Sequence, residues 1–355
     1  MKILTAGFVL GLAVLAGAER PVVTLRGEAA HLSIDLAGGG IVDFHLTPDG
    51  VNPLKWEGEG GELEPRNRAH FLCLDRVGRP SQAELARGMP FHGEAGRGMW
   101  TLVREPETVG ATVVAEMAAE LPLAGMRVER FVRLQGKHFA VREEVTNQNA
   151  LGRIYNMVQH PTIGPPFLEE GSLVDANARK GFMLSNPMPN PEEPAVYWPQ
   201  ALDEGMPVNL RRLVDDHDPQ VVVYVIDDEY GWTTATTPKY GLLIGYIWKN
   251  AEYPWFRAWR HVRDGRPFAR GLEFGTTGPG TPFGFLVDKG RIFGRALFDY
   301  IDAGETIGRS YLCFLAEVPT DFAGVGNLDY DGRQAVLTEW RGERQVTVDL
   351  GTWPE

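Results

Sequence analysis

The sequence predicts an all-β chain folded as a large antiparallel two-sheet β-sandwich, and three observations carry that expectation. Apolar residues alternate with polar ones far more often than they recur at helical spacing. The chain spends 42 glycines and 25 prolines in 355 residues, which suits many short strands joined by turns better than long helices. Strand-like runs are spread evenly along its length with no repeat at a fixed period, so a propeller or solenoid is disfavoured against two sheets packed face to face.

Taken in order, residues 1–18 read as a leader. Lys2 supplies the positive end, Ile3 to Leu15 an apolar run broken by Gly7 and Gly11, and Ala16-Gly17-Ala18 a small-residue cleavage site before Glu19. The run is short for a permanent span and nothing later in the chain is long enough for one. The expectation is an exported protein, periplasmic or secreted, without a stable membrane span after cleavage; a retained anchor is the alternative. Residues 19–355 are then a single domain.

Strands are expected at Val22 to Leu25, His31 to Leu36, Ile41 to Leu46, Thr112 to Met117, Val128 to Leu134 and Phe139 to Thr146. Further runs lie at Val221 to Ile226, Leu242 to Trp248, Ala296 to Ile301 and Val346 to Leu350. Ser81 to Arg87 is the clearest helical signal, worth a turn or two. Gly38-Gly39-Gly40, Gly60-Gly61 and the proline-rich stretch from Asn186 to Pro194 punctuate the remainder, and 186–199 is expected to be a long loop within the domain.

Composition excludes some functions. With 35 Lys+Arg against 47 Asp+Glu the formal charge is −12, which argues against a nucleic-acid partner, since phosphate binding needs clustered cations. An apolar fraction of 43% with 23% charged residues is that of a globular chain with a large core. Two cysteines, Cys73 and Cys313, are too few for a disulfide framework; they either pair or sit as buried thiols in their apolar surroundings.

Four segments combine chemically capable side chains with loop-forming neighbours. His92 lies in Met89-Pro90-Phe91-His92-Gly93-Glu94, and His160 in Val158-Gln159-His160-Pro161, where the proline forces an extended backbone. Glu273 lies between apolar residues in Arg270-Gly271-Leu272-Glu273-Phe274-Gly275-Thr276-Thr277-Gly278. Tyr253-Pro254-Trp255-Phe256-Arg257-Ala258-Trp259 is rich in aromatics. Each has a plain structural reading. A histidine beside Pro or Gly more often satisfies turn backbone than does chemistry, a Glu flanked by Leu and Phe can be the polar face of a strand, and aromatics bury well anywhere.

Together, Arg66-Asn67-Arg68, His92-Gly93, His160-Pro161 after a strand carrying Asn147, and the Glu273 segment resemble, in that order, the aldose 1-epimerase or galactose mutarotase-like superfamily over about residues 25 to 317. Phe274 stands where the sugar mutarotases usually show Pro, and the substrate-binding Asp expected before Glu273 has only Asp227 and Asp228 as candidates. The resemblance implies a mutarotase-like supersandwich and an enzyme interconverting sugar anomers without a cofactor. It makes His160 the acid at the ring oxygen and Glu273 the base at C1, each favouring the charged form of the other from opposite sides of the pyranose. His92 and Arg68 or Arg66 would hold sugar oxygens, the arginines through a planar fork of donors, and Trp255 and Trp259 would be platforms for the apolar sugar face. The partner is a small sugar or a saccharide chain end.

Other readings stay open. His92, His160 and Glu273 have the composition of a two-His-one-carboxylate metal site, but no close His-x-His pair anchors one, and no metal is expected. A non-catalytic carbohydrate-binding protein, or an enzyme acting on polysaccharide, would use the same scaffold. Asp215-Asp216-His217-Asp218 reads as a solvated acidic turn.

Overall fold

The structure, a computed structural model, describes residues 19–212 and 221–354; the leader and the Asp215 to Asp218 turn lie outside the described residues. Two large antiparallel sheets dominate. One has eight strands in the order Leu173–Ala176, Tyr230–Thr237, Leu242–Lys249, Thr306–Glu317, His138–Asn147, Met126–Gln135, Thr112–Leu121 and Thr101–Val109. The other runs Val196–Tyr197, Lys180–Met183, Val221–Val225, Trp255–Arg263, Arg266–Gly275, Arg153–His160 and Asp299–Ile301. Thr162–Ile163 joins it on Arg266–Gly275, and Phe71–Asp75 on Arg153–His160. The expected loop over 186–199 is irregular except for Val196–Tyr197, which joins the sheet: Gly181 pairs with Val196.

The two sheets share one apolar interior. Val128, Val141, Ile244 and Leu315 from the first meet Leu72, Met157, Phe256 and Leu272 from the second. Parts of both outer faces are covered as well. A three-stranded C-terminal sheet, Val325–Tyr330, Gln334–Glu339 and Gln345–Asp349, lays Leu328, Leu337 and Val348 over Leu243, Ile247, Leu312 and Phe314. The ion pair between Arg211 and Asp175 helps hold it: Asp175 Oδ2 accepts from Val325 N–H at 2.8 Å, and the Arg211 guanidinium lies 4.0 Å from the Trp340 ring centroid.

That double coverage explains why several strands escape a reading based on alternation. Phe71–Asp75 is buried at all five positions, so both faces call for apolar residues and the period of two disappears; Leu242–Lys249, buried at seven consecutive positions, is the expected strand as an unbroken apolar run. Arg153–His160, Trp255–Arg263 and Arg266–Gly275 are strands of the same kind, missed by the periodicity. The expected helix is present as Gln82–Ala86, with Ser81 and Glu84 forming a reciprocal capping box at its start. A second short helix, Phe283–Lys289, carries no such signal. Cys73 and Cys313 are buried free thiols, one on the outer face of its sheet and one in the interior.

A polar chain crosses the interior. The Arg130 guanidinium pairs with Glu143 at 2.7 Å; Gln159 donates to the other Glu143 oxygen at 2.6 Å, and the His70 Nε2 lies 3.2 Å from Gln159 Oε1. Every one of these side chains is buried. Burial of the imidazole, reinforced by the Arg130 charge, holds the His70 pKa well below its ordinary value, so the ring is neutral and bridges without charge.

Candidate functional site

Strand alternation decides what the outer face of the second sheet presents. On Arg153–His160, Met157 and Gln159 point inward, so Val158 and His160 point outward. On Trp255–Arg263 the outward set is Trp255, Arg257 and Trp259, and on Arg266–Gly275 it includes Glu273. Register brings these together: Arg257 sits opposite Glu273, and Gln159 opposite Phe274, which carries His160 to the position opposite Glu273 on its other side.

The result is a short line of contacts. His160 Nε2 lies 3.2 Å from Glu273 Oε1, and Arg257 Nε lies 2.8 Å from Glu273 Oε2. Arg257 Nη1 donates to the Gly278 carbonyl at 2.6 Å, and His160 Nδ1 is 3.0 Å from the Thr162 hydroxyl. His160 retains 5% exposure and Glu273 1%, so the pair presents little more than an edge. Phe71, the cross-strand partner of His160, stacks on its ring at 4.3 Å. Trp259, partly exposed, meets it edge-on at 5.8 Å.

His92 approaches from a loop, its ring 5.4 Å from that of His160. Two backbone features set it there. Gly93 has φ +78° and packs so closely that a Cβ would lie 2.0 Å from the Leu74 carbonyl oxygen, so glycine is required. His92 itself has φ +70°, and its Nδ1 accepts from the Gly78 N–H at 3.1 Å, which leaves Nε2 to carry the proton.

Burial pushes the His160 pKa down to about 3, and the Arg257 charge adds to the effect. Burial raises the Glu273 pKa, while Arg257, by charge and hydrogen bond, works against that rise. His92 is lowered well below its ordinary range by desolvation and then by its cationic neighbours. These directions correct the expectation that His160 and Glu273 would each favour the charged form of the other: removal from water outweighs their mutual attraction.

Two further expectations are corrected. The imidazole and the carboxylate are in direct contact, so no pyranose lies between them. Trp255 has 0% exposure, packs among Phe182, Val223 and Leu286, and donates its indole N–H to the Ala296 carbonyl; it is core, not a platform. Arg66 and Arg68 are close to the site, but their forks are engaged. Arg66 pairs with Glu57 at 2.7 Å and donates to the Gly60 carbonyl; Arg68 pairs with Asp35 at 2.9 Å and with Glu57. Asp227 and Asp228 are half-exposed, bonded to Arg295 and Asn177 respectively.

Sequence reasoning missed Arg257 and Trp56. Arg257 had a signal, a lone cation amid Trp255, Phe256, Ala258 and Trp259. Trp56 had none; it stacks on Phe71 and meets Trp259 edge-on at 5.6 Å, forming a wall beside His160. Behind that wall opens a cavity of about 540 Å³ bordered by Asp43, His45, Trp56, Glu57 and Arg68.

Solved structures share this architecture. A galactose mutarotase-like protein from Clostridium acetobutylicum aligns with a TM-score of 0.65 over 84% of this chain and 96% of its own, at 14% identity. The chain has the galactose mutarotase-like fold. A galactose mutarotase-like protein from Lactobacillus casei aligns at a TM-score of 0.59, with 16% identity over 83% of this chain and 100% of its own. A galactose mutarotase related enzyme from Lactobacillus acidophilus aligns equally well, at 0.59, with 11% identity over 84% and 98%. No family model matches the chain, and no curated protein matches it by sequence. Within the mutarotase-like fold, His160 and Glu273 occupy one outer sheet face and His92 reaches His160 from a loop.

Proposed function

We propose that this protein is an aldose 1-epimerase that interconverts sugar anomers by proton exchange between the sugar and the His160–Glu273 pair. The observation that carries the reading is the 3.2 Å separation of His160 Nε2 and Glu273 Oε1. Anomer exchange needs a proton added to the ring oxygen and one removed from the C1 hydroxyl. Both oxygens are bonded to the same carbon, so two adjacent groups can address them from one side. The contact is within the roughly 2.6–3.2 Å reach of direct proton transfer. After ring opening the group that took the C1 hydroxyl proton keeps it; on closure at the opposite face it returns that proton to O1 while its partner takes back the one it gave to the ring oxygen, so the pair ends as it began.

The working state is the one in which the pair holds a single titratable proton. Arg257 fixes the carboxylate plane, Thr162 fixes the imidazole, His92 offers its Nε2–H to a sugar oxygen, and Trp259 presents a partly exposed aromatic face. Burial pushes His160 down to about 3 and raises Glu273, so the single proton of the pair is held by the carboxyl rather than the imidazole.

One observation favours a second reading, a carbohydrate-binding protein without catalysis. Both His160 nitrogens and both Glu273 oxygens already have partners within the chain. The deciding experiment follows a freshly dissolved α-anomer by NMR across neutral sugars and uronic acids. Catalysis is supported if wild type speeds equilibration and His160→Ala and Glu273→Gln each slow it by about 10²–10⁴-fold. Sugar binding with no acceleration by the wild type selects the binding protein.

A further inference from the structure

We propose that the cavity behind Trp56 is a second saccharide subsite, so that the ligand is the reducing end of a disaccharide or longer chain rather than a free monosaccharide. The proposal rests on the reading of the His160 face as a sugar site and deepens it. The cavity, at about 540 Å³, falls within the roughly 300–1,000 Å³ typical of small-molecule pockets. Its wall, Trp56, is the same residue that closes off Phe71 and Trp259 beside His160. A sugar held at His160 therefore has its neighbouring residue directed past one indole into an adjoining hollow.

The chemistry of the lining selects the ligand class. Lys55 and Arg68 balance Asp43 and Glu57, and Arg68 is already paired with Asp35 and Glu57. Lys55 is the one lining cation without an ion pair among the described residues, a single exposed lysine where a phosphate site calls for clustered donors, and the polar rim does not suit a lipid. Asp43 grips His45 Nδ1 through both carboxylate oxygens, at 2.8 and 3.0 Å, which presents an imidazole of fixed orientation. Donors and acceptors of both kinds around one aromatic ring match a neutral sugar, with hydroxyls at its edge and an apolar face.

The test is calorimetric titration with glucose, maltose, cellobiose and lactose, on wild type, on His45→Ala and on Val51→Trp, which fills the cavity from the Val51 position on its wall. At least one disaccharide is expected to bind about tenfold or more tightly than glucose, with that advantage lost in both variants while their thermal unfolding stays cooperative. Equal affinity for glucose and all three disaccharides, or an advantage that survives both substitutions, overturns the proposal. Disaccharide binding that depends on the cavity, with no anomer exchange in the same samples, leaves the subsite standing and removes the catalytic reading instead.

Discussion

His160 Nε2 and Glu273 Oε1 meet at 3.2 Å on the outer face of one sheet, and Arg257 holds the far oxygen of the same carboxylate at 2.8 Å. Removing water from three such groups is costly, and the arrangement persists because each has a partner.

Arg257→Ala is expected to destabilise the protein by about 3–5 kcal/mol, since it leaves the Glu273 carboxyl buried without its cation. The double variant Arg257→Ala with Glu273→Ala should lose less than the sum of the two single losses, because the groups share one interaction. Urea unfolding of the four proteins measures the coupling; strict additivity contradicts the contact.

Trp255 and Trp259 should separate cleanly. Trp255→Ala empties a fully buried site and is expected to cost about 3–5 kcal/mol of stability. Trp259→Ala, at a partly exposed position beside His160, should weaken sugar affinity with a much smaller change in the unfolding midpoint. The same pair of measurements, unfolding and sugar titration, checks both halves.

The histidines give a pH dependence with a definite sign. His160 is pushed down to about 3 and His138 to about 4, both chiefly by burial. Below the unfolded value near 6.5 the unfolded chain takes up protons that the folded chain refuses. Stability should therefore fall as pH drops from 7 towards 4, and these two groups should contribute no slope above pH 7. Denaturation midpoints at half-unit intervals test this, and His160→Gln should flatten part of the acid slope.

The C-terminal sheet should depend on one ion pair. Asp175→Ala strands the Arg211 guanidinium and removes the acceptor for Val325 N–H, and is expected to cost about 3–5 kcal/mol. Limited proteolysis should then cut first in or near Val325–Tyr330. Wild-type cleavage kinetics in the variant would show that apolar contact alone holds the sheet.

Legibility in the sequence followed burial. Strands with one wet face, such as Met126–Gln135, alternate and are readable; Phe71–Asp75 and the buried stretch of Arg266–Gly275, covered on both faces, are not. His160, Glu273 and His92 were legible because Pro161 and Gly93 mark their backbone, whereas their mutual distance was not, since it depends on the register of three strands far apart in the chain. Arg66 and Arg68 carried the right side chains for sugar recognition, but nothing local announced that Glu57 and Asp35 would occupy them. Trp255 and Trp259 share one outward row, and only the covering segment with Leu286 and Leu297 distinguishes the buried ring from the accessible one.

Gln159 and His160 are neighbours on one strand with opposite duties: the first is tied to Glu143 and His70, the second to Glu273. The reactive face is thus anchored through its own backbone to the centre of the molecule. A redesign of substrate preference has little freedom along this strand, because shifting it by one position would turn Gln159 out of the interior and His160 off the outer face. New specificity is better sought in the 50–57 and 89–93 segments, which border the site outside the strands of the two large sheets.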